Sequence, residues 1–139
     1  MAELRWRRIL CPLDFSEESR AAVTVATDVA RRFGAELTML HVEADGQSLL
    51  QATGSPGGQL SDWKREAEAR HGGAVSTVTR RGAPADAIVS EAAEGGFDLV
   101  VMGTHGRTGR DHALIGSVAE SVVRRSRVPV LTVHADWQR

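Results

Sequence analysis

The sequence predicts an α/β protein with a Rossmann-like, open parallel sheet and helices on both faces. Three observations lead to this class. Short apolar runs alternate with stretches of helical periodicity along the chain, which predicts five strands and four helices. Residues 99–102 are apolar at every position, as is typical of a parallel strand covered on both faces. The length of 139 residues suits a single domain, residues 1–139, with one core.

The first half of the chain predicts strand, helix, strand and a long loop. Residues 9–13 form an apolar run, and Ser16 after it is a residue type that favours a helix N-cap. The helix ends at Gly34. Residues 37–42 predict a second strand, and residues 43–59, rich in Gly, Ser and Gln, predict the loop. The apolar residues at helical spacing in the first helix are Ala22, Val25, Ala26, Val29 and Phe33.

The second half predicts three helices and three strands. Ser61 is expected to cap a short polar helix that ends at Gly72. Residues 75–79 alternate apolar and polar side chains, as an edge strand does. Pro84 predicts the first position of the next helix, which stops at two consecutive glycines. After the strand at 99–102, residues 117–125 predict the last helix and residues 128–133 the last strand.

Composition excludes several classes of protein. No apolar run approaches the roughly 18 residues that a membrane span needs. The first residues lack the apolar segment of a signal peptide, so we expect a cytoplasmic protein without a membrane partner. The net charge of −1 offers no basic field for nucleic acid. The single cysteine, Cys11, is expected to be reduced and buried. His41, His71 and His134 lack metal-ligand spacing with it.

The segment GTHGRTGRDHALIGS, residues 103–117, joins the strand at 99–102 to the last helix. Ser117 and Glu120 match the capping box of a helix N-terminus. Loops between a strand end and a helix start are where α/β sheets bind ligands, and helix N-termini attract phosphate. Glycines let the backbone approach an anion closely, and Arg107 and Arg110 could add charged hydrogen bonds. The segment therefore favours a polyphosphate ligand.

The glycine spacing separates this segment from two common nucleotide motifs. It is neither Gly-x-Gly-x-x-Gly nor a P-loop. It reads Gly103-x2-Gly106-x9-Gly116-Ser117, which resembles the ATP-binding motif of the universal stress protein family. The stretches RRILCPLDFSEESRAAV and GSVAESVVRRSRVPVLTV resemble the first and last parts of that family's domain. The resemblance extends from about Arg7 to Val133.

The resemblance implies a strand order of 3-2-1-4-5, with ATP bound between the strands that end at Leu13 and Met102. A carboxylate that faces a triphosphate would repel it, so Asp14 is expected either to accept hydrogen bonds from adenosine or to help hold a divalent metal. We favour the adenosine role, with Mg²⁺ held mainly by phosphates and waters. Carried over by position, the adenosine would be contacted by Pro12, Leu13, Asp14 and Val42, the ribose by Gly103, and the phosphates by His105, Gly106, Gly116, Ser117 and Val118. Arg107 is a further candidate for phosphate binding, because of its charge rather than because of the resemblance.

The last predicted strand is apolar on both faces, although Pro129 marks it as an edge strand or a strand start. Its apolar residues are Val128, Val130, Leu131 and Val133. An exposed apolar edge invites another chain, so we expect a homodimer through this strand. Family dimers often pair in this way, which agrees with the expectation. The alternative is that a helix or the C-terminal tail covers the edge.

Each candidate residue also has a simpler interpretation. Asp14 could be a polar turn residue before Ser16, and His105 a solvent-exposed loop residue. Ser117 could serve only its own helix, and Arg107 and Arg110 could be surface charges. The whole loop could also be a lid that binds nothing.

The favoured function is that of an ATP-binding regulatory protein whose nucleotide state is read by a protein partner. No catalytic base is evident, so an efficient enzyme is not expected. One alternative is a slow ATPase or phosphotransferase using His105 or Asp14. Another is a binder of AMP or cyclic AMP. An ATP pyrophosphatase is disfavoured because no Ser-Gly-Gly loop follows the first strand.

Overall fold

The computed structural model describes residues 4–43, 56–105 and 115–136. Within them, strands and helices alternate throughout, and the five strands form one sheet in the order β3-β2-β1-β4-β5 with every neighbouring pair parallel. This confirms the predicted fold class and strand order. The elements are β1 Arg8–Leu13, α1 Glu17–Phe33, β2 Glu36–Glu43, α2 Pro56–His71, β3 Val75–Arg81, α3 Pro84–Glu94, β4 Leu99–Gly103, α4 Ser117–Arg125 and β5 Val130–Val133.

The central strands are buried on both faces, which explains their continuous apolar runs. In β1, Ile9 and Cys11 pack into a cluster with α1 and α2, whereas Leu10 packs into a second cluster with α3 and α4. In β4, Val101 joins the first cluster and Val100 joins the second. Successive side chains of a strand point to opposite faces, so the sheet needs an apolar residue at nearly every position.

The ends of α1 and α3 agree with the sequence signals. Ser16 Oγ accepts a hydrogen bond from Ser19 N at 3.1 Å, and Gly34 closes α1 in the left-handed conformation with φ 63°. Pro84 begins α3, and Gly95 caps its C-terminus. These signals act within one helical turn, so distant contacts do not override them.

The predicted cap at Ser61 is wrong, because α2 begins at Pro56 and Ser61 lies inside the helix. Leu60, Trp63 and Ala67 form its buried side and pack against the α1 layer, and this burial extends the helix past the local capping signal. The predicted loop is shortened at both ends, since Glu43 belongs to β2 and residues 56–59 belong to α2. Residues 44–55 lie outside the described part.

The last strand begins at Val130, two residues later than predicted. Pro129 has no amide proton, but its carbonyl accepts a hydrogen bond from Val100 N at 2.9 Å, so the chain joins β4 just before β5 begins. At this edge Leu131 is 38% exposed, and Val123 on the neighbouring α4 is 48% exposed. None of the helices described is long and apolar enough to cross a membrane.

Candidate functional site

The C-terminal ends of β1 and β4 lie side by side at the centre of the sheet, where an open α/β sheet has its ligand-binding crevice. β1 pairs with β2 along its whole length, to Leu13 opposite His41, whereas its pairing with β4 covers only Ile9 and Leu10 among the residues described. The following helices, α1 and α4, pack on opposite faces of the sheet. This is the topological switch point at which open α/β sheets bind ligands.

Asp14 lies at the β1 side of the crevice and is fixed by the first turn of α1. Its Oδ1 accepts hydrogen bonds from Ser16 N at 3.1 Å and from Ser19 Oγ at 2.7 Å. Asp14 N in turn donates to Ser19 Oγ at 2.9 Å. The local turn role that the sequence left open is therefore present in the structure. It holds the half-buried carboxylate at the end of β1, and a nucleotide contact for Asp14 stays a prediction.

Phe15 makes this tight turn possible. Its φ of 64° lies in the left-handed region, which costs a non-glycine residue about 1 kcal/mol or more. Its ring lies 4.9 Å from that of His41 and 5.3 Å edge-on from that of Trp63, between centroids. Aromatic pairs of this kind contribute about 0.5–1.5 kcal/mol each, which is comparable to the cost of the strained φ angle. The strained residue stands directly beside Asp14, where the chain reverses from β1 into α1.

Gly103 and Gly116 permit two close approaches of the backbone. A Cβ at Gly103 would lie 2.9 Å from Glu18 Cβ, so the glycine allows the first turn of α1 to pack onto the end of β4. A Cβ at Gly116 would lie 2.9 Å from Thr104 O and 3.2 Å from His105 Cα. The structure thus gives both glycines a packing role within the protein, in addition to any approach of a ligand.

A buried carboxylate joins α1 to the residues after β4. Glu18, 8% exposed, accepts hydrogen bonds at Oε2 from Thr104 Oγ1 and from His105 N, each at 2.7 Å. His105 Nδ1 lies 3.4 Å from Glu18 Oε1 and 3.1 Å from Thr104 Oγ1. Burial raises the pKa of Glu18, but the hydrogen bonds from Thr104 and His105 outweigh burial, so its pKa lies below the ordinary value. His105 is only 9% exposed, so its interpretation as a solvent-exposed loop residue is wrong.

The N-terminus of α4 is capped differently from the prediction. The N-cap is Gly116, not Ser117, because the first helical bond runs from Glu120 N to Gly116 O. The predicted capping box is therefore wrong, and Glu120 pairs with Arg124 one turn further on. A Cβ at the cap would lie 2.9 Å from Thr104 O, so the packing favours glycine there, with Ser117 at the first helical position.

This capping leaves a helix end suited to an anion. The first amides of a helix have no partner within it, and a glycine N-cap has no side chain to satisfy them. Two other amides are engaged by the protein, since Gly116 N donates to Thr104 O at 2.6 Å and His105 N donates to Glu18. Because the first helical hydrogen bond is donated by Glu120 N, the amides of Ser117, Val118 and Ala119 have no acceptor within α4. Gly106, Arg107 and Arg110 lie outside the described residues.

The remaining predicted residues lie on the β1–β2 side. Pro12 and Leu13 are buried at the end of β1, and Val42 is half-buried near the end of β2. The structure therefore brings Asp14, Gly103, His105 and Gly116 to the two sides of one crevice, with Val42 one strand further out. In the part of the chain that is described, no group of three His, Cys, Asp or Glu side chains could hold a metal ion.

A hollow of about 530 Å³ lies at the opposite edge of the sheet, between the end of α1 and the turn after α2. It is lined by Arg8, Arg31, Glu36 and His71, among others. Arg8 pairs with Glu36, and Arg31 with Asp28, so these cations are already engaged. Ligands of open α/β sheets bind at the carboxyl ends of the strands, so this volume is not the candidate site.

Sequence reasoning missed Glu18 and Thr104. The glycine motif and the strand ends give neither residue a role at the site. The sequence carries only a weak signal of their contact. Thr104 is a hydroxyl residue beside the motif histidine, and Glu18 is an acidic residue at the second position of a helix. Their hydrogen bond joins residues 86 positions apart, which no local pattern reveals.

The fold and the crevice define a Rossmann-like α/β domain with its candidate ligand site at the switch point. The model of the universal stress protein family matches residues 5–134, and the chain belongs to that family. Universal stress protein MJ0531 of Methanocaldococcus jannaschii is 34% identical, over 92% of this chain and 82% of its own.

Two solved structures are similar in fold and sequence. MJ0577 of the same organism is 29% identical with a TM-score of 0.83, covering 94% of this chain and 97% of its own. A universal stress protein solved in complex with cyclic AMP is also 29% identical, with a TM-score of 0.72, covering 96% of this chain and all of its own. An adenine nucleotide is thus known in a related structure.

Proposed function

We propose that this protein binds ATP in the crevice between β1 and β4 and acts in the cytoplasm as a nucleotide-dependent regulatory protein. The observation that carries the proposal is the α4 N-terminus. Its glycine cap is held against Thr104 by the 2.6 Å hydrogen bond, at the same sheet edge as Asp14. A helix N-terminus at a switch point favours a phosphate group. The relative that holds cyclic AMP supports an adenine nucleotide as the ligand class.

The phosphates would be held by the first amides of α4, at Ser117 and Val118, together with Gly106 and Arg107. His105 and Gly116 would shape the backbone around them, because their own amides are paired within the protein. Mg²⁺ would neutralise phosphate charge and be held by phosphates and waters. Asp14 Oδ1 already accepts two hydrogen bonds, which fits a role toward adenosine better than metal ligation.

On the adenosine side, the end of β1 and Val42 would contact the base and Gly103 the ribose. Pro12 and Leu13 have buried side chains, so they would contact the adenosine through their backbone atoms. Asp14 would accept hydrogen bonds from ribose hydroxyls or from the adenine amine.

Titration calorimetry with ATP and Mg²⁺ tests the proposal. We expect saturable binding by the native protein, and binding weaker by about 1–3 kcal/mol in Asp14→Ala, the size of a lost charged hydrogen bond. Ser19→Ala is the matched control, because it removes the hydrogen bond between Asp14 and α1 but keeps the carboxylate. Binding that saturates only above about 1 mM, equivalent to about −4 kcal/mol, would refute the proposal. Equal losses in both variants would assign the effect to the turn rather than to the ligand.

The identity of the nucleotide is tested by competition. Because the 29% identical relative holds cyclic AMP, the second candidate ligand is AMP or its cyclic form. A pocket that uses the α4 amides for β- and γ-phosphates should prefer ATP to both. If cyclic AMP displaces bound ATP at lower concentration than ATP itself does, the protein is a cyclic nucleotide binder.

The exposed apolar edge supports a homodimer through β5. Leu131 and Val123 leave apolar surface at an edge strand, where a second copy would bury it. Sedimentation of the native protein should give the mass of two chains, and Leu131→Asp should give one. If the native protein is still a monomer at about 0.1 mM, its association free energy is weaker than about −5 kcal/mol. That result would refute this interface.

A further inference from the structure

We propose that Glu18 is a positioning residue for the nucleotide site. Its carboxylate holds Thr104 and His105, the two residues after β4, against α1 and keeps the proton of the His105 ring on Nδ1. This inference rests on the proposed ATP function for its effect on binding, but its effect on the His105 ring is independent of any ligand.

The hydrogen bonds to Glu18 come from two consecutive residues. Oε2 accepts from the Thr104 hydroxyl and from the His105 amide, both at 2.7 Å, and Oε1 faces His105 Nδ1 at 3.4 Å. Gly103 permits this geometry, because any Cβ there would collide with Glu18. The carboxylate therefore holds both backbone and side chains where β4 becomes the loop.

The donors around Glu18 determine the tautomer of His105. A hydroxyl has one proton, and an ionised carboxylate only accepts, so the Thr104 proton is committed to Glu18. His105 Nδ1 then faces two acceptors, the Thr104 oxygen at 3.1 Å and Glu18 Oε1. Nδ1 must carry a proton for these contacts to be favourable. His134 directly follows β5, and its Nδ1 lies 3.3 Å from the same Thr104 hydroxyl oxygen. By the same reasoning, Nδ1 of His134 must also carry a proton for this contact to be favourable.

The contacts continue from Glu18 to the helix N-terminus. The same Thr104 that donates to Glu18 accepts the Gly116 amide through its carbonyl at 2.6 Å, and a Cβ at Gly116 would lie 3.2 Å from His105 Cα. Thr104 N is bonded to Val133 O at 3.0 Å. Without the Glu18 carboxylate, Thr104, whose carbonyl supports the α4 cap, would keep its hydrogen bond to β5 but lose its hydrogen bond to α1.

Glutamine cannot replace Glu18 without loss. Its amide offers one accepting oxygen and one donating nitrogen, whereas all three groups that face the carboxylate donate. One of the amide's two ends must therefore place a donor against a donor. Glu17→Gln is the matched control, since Glu17 is exposed in the same helical turn and the substitution removes the same charge.

The first experiment measures the ring of His105 in the nucleotide-free protein by two-bond ¹H–¹⁵N correlation, with amide exchange recorded in parallel. In the native protein and in Glu17→Gln, we expect the Nδ1–H form and slow exchange of the His105 amide. In Glu18→Gln we expect a mixture of tautomers and faster exchange at His105, with core amides of β2 unchanged. A native ring in the Nε2–H form, or an unchanged ring in Glu18→Gln, overturns the proposal.

The second experiment measures the ATP dissociation constant of the same proteins. Because charged hydrogen bonds are lost, the dissociation constant of Glu18→Gln for ATP should rise about tenfold to a hundredfold. The dissociation constant of Glu17→Gln should equal that of the native protein. If the native protein fails to bind ATP, the proposed function is wrong while the ring measurement still decides the positioning role. If native binding is tight and Glu18→Gln binds equally well, the function stands and the positioning role is refuted. Should Glu18→Gln fail to fold, Thr104→Val removes the shared hydroxyl, and an unchanged ring and affinity there would equally refute the proposal.

Discussion

Replacing Gly116 by alanine tests the close approach on which the candidate site depends. The backbone of Gly116 has φ −68° and ψ 160°, which alanine adopts without strain. The difficulty is the added methyl group, which would lie 2.9 Å from Thr104 O and 3.2 Å from His105 Cα. Both neighbours are backbone atoms that are fixed by hydrogen bonds, so they cannot rotate away.

Opposing effects set the size of the change. Alanine restricts the unfolded chain more than glycine does, which stabilises the fold by about 0.4–1 kcal/mol. Overpacking against fixed atoms costs about 1–3 kcal/mol, and weakening the hydrogen bond from Gly116 N to Thr104 O costs about 1 kcal/mol more. The costs are larger, and we expect a net destabilisation of about 1–3 kcal/mol.

The measurement is thermal unfolding by calorimetry. At about 2.1 cal/mol/K per residue, 139 residues give an unfolding entropy of about 0.3 kcal/mol/K, so each kcal/mol lowers Tm by about 3 °C. We expect Gly116→Ala to unfold about 3–10 °C below the native protein. ATP binding should weaken as well, since the shift displaces the first turn of α4.

Gly73→Ala provides the control. Gly73 also lies outside the left-handed region, and an added Cβ there meets only the ring of His71, at 3.3 Å. A side chain yields by a few tenths of an ångström where a carbonyl group does not, so Tm should stay within about 2 °C of the native value. If both variants keep the native Tm, the approach of Gly116 to Thr104 does not exist as described.

Two further predictions concern titratable groups in α1 and β1. Glu18 has a pKa lowered in the folded state, so its stabilisation is complete above its ordinary value of 4.5 and is lost as pH falls through the folded value. Urea unfolding should therefore show the largest difference between the native protein and Glu18→Gln above that pH and a shrinking difference below it, and a difference that grows on acidification would contradict the assignment. Complete burial raises the pKa of the Cys11 thiol to about 12, so a thiol reagent at neutral pH should modify it only after unfolding. Labelling of the native protein at the rate of the urea-unfolded chain would show that Cys11 is not buried.

Local signals predicted much of the fold. Ser16 and Gly34 mark the ends of α1, and Pro84 marks the start of α3, because capping and proline effects depend on neighbours within one turn. The apolar run at 99–102 identified a strand buried on both faces, since a side chain must face each layer. The same reasoning failed at Ser61, where burial of Trp63 and its neighbours against α1 extended the helix beyond the local signal.

The candidate site was predicted in outline, but its contacts were not. The glycine spacing predicts a site at the C-terminal edge of the sheet, because the motif lies between a strand end and a helix start. It could not show that Gly116 rather than Ser117 caps α4, since the carbonyl of Thr104 excludes a side chain at that position. His105 was assigned to phosphate from its place in the motif, whereas its ring in the folded chain is turned toward Glu18 and Thr104.

The sequence by itself determined the order and type of the strands and helices, the family, and the edge of the sheet at which a ligand is expected. These follow from periodicity, capping and glycine spacing, all of which act over short stretches of chain. Only the tertiary structure decided which groups meet at that edge. Glu18 and Thr104 are 86 residues apart, and their contact exists because the first turn of α1 packs onto the end of β4 at a glycine. A contact between distant residues depends on how the layers pack, and a local pattern carries no information about that packing.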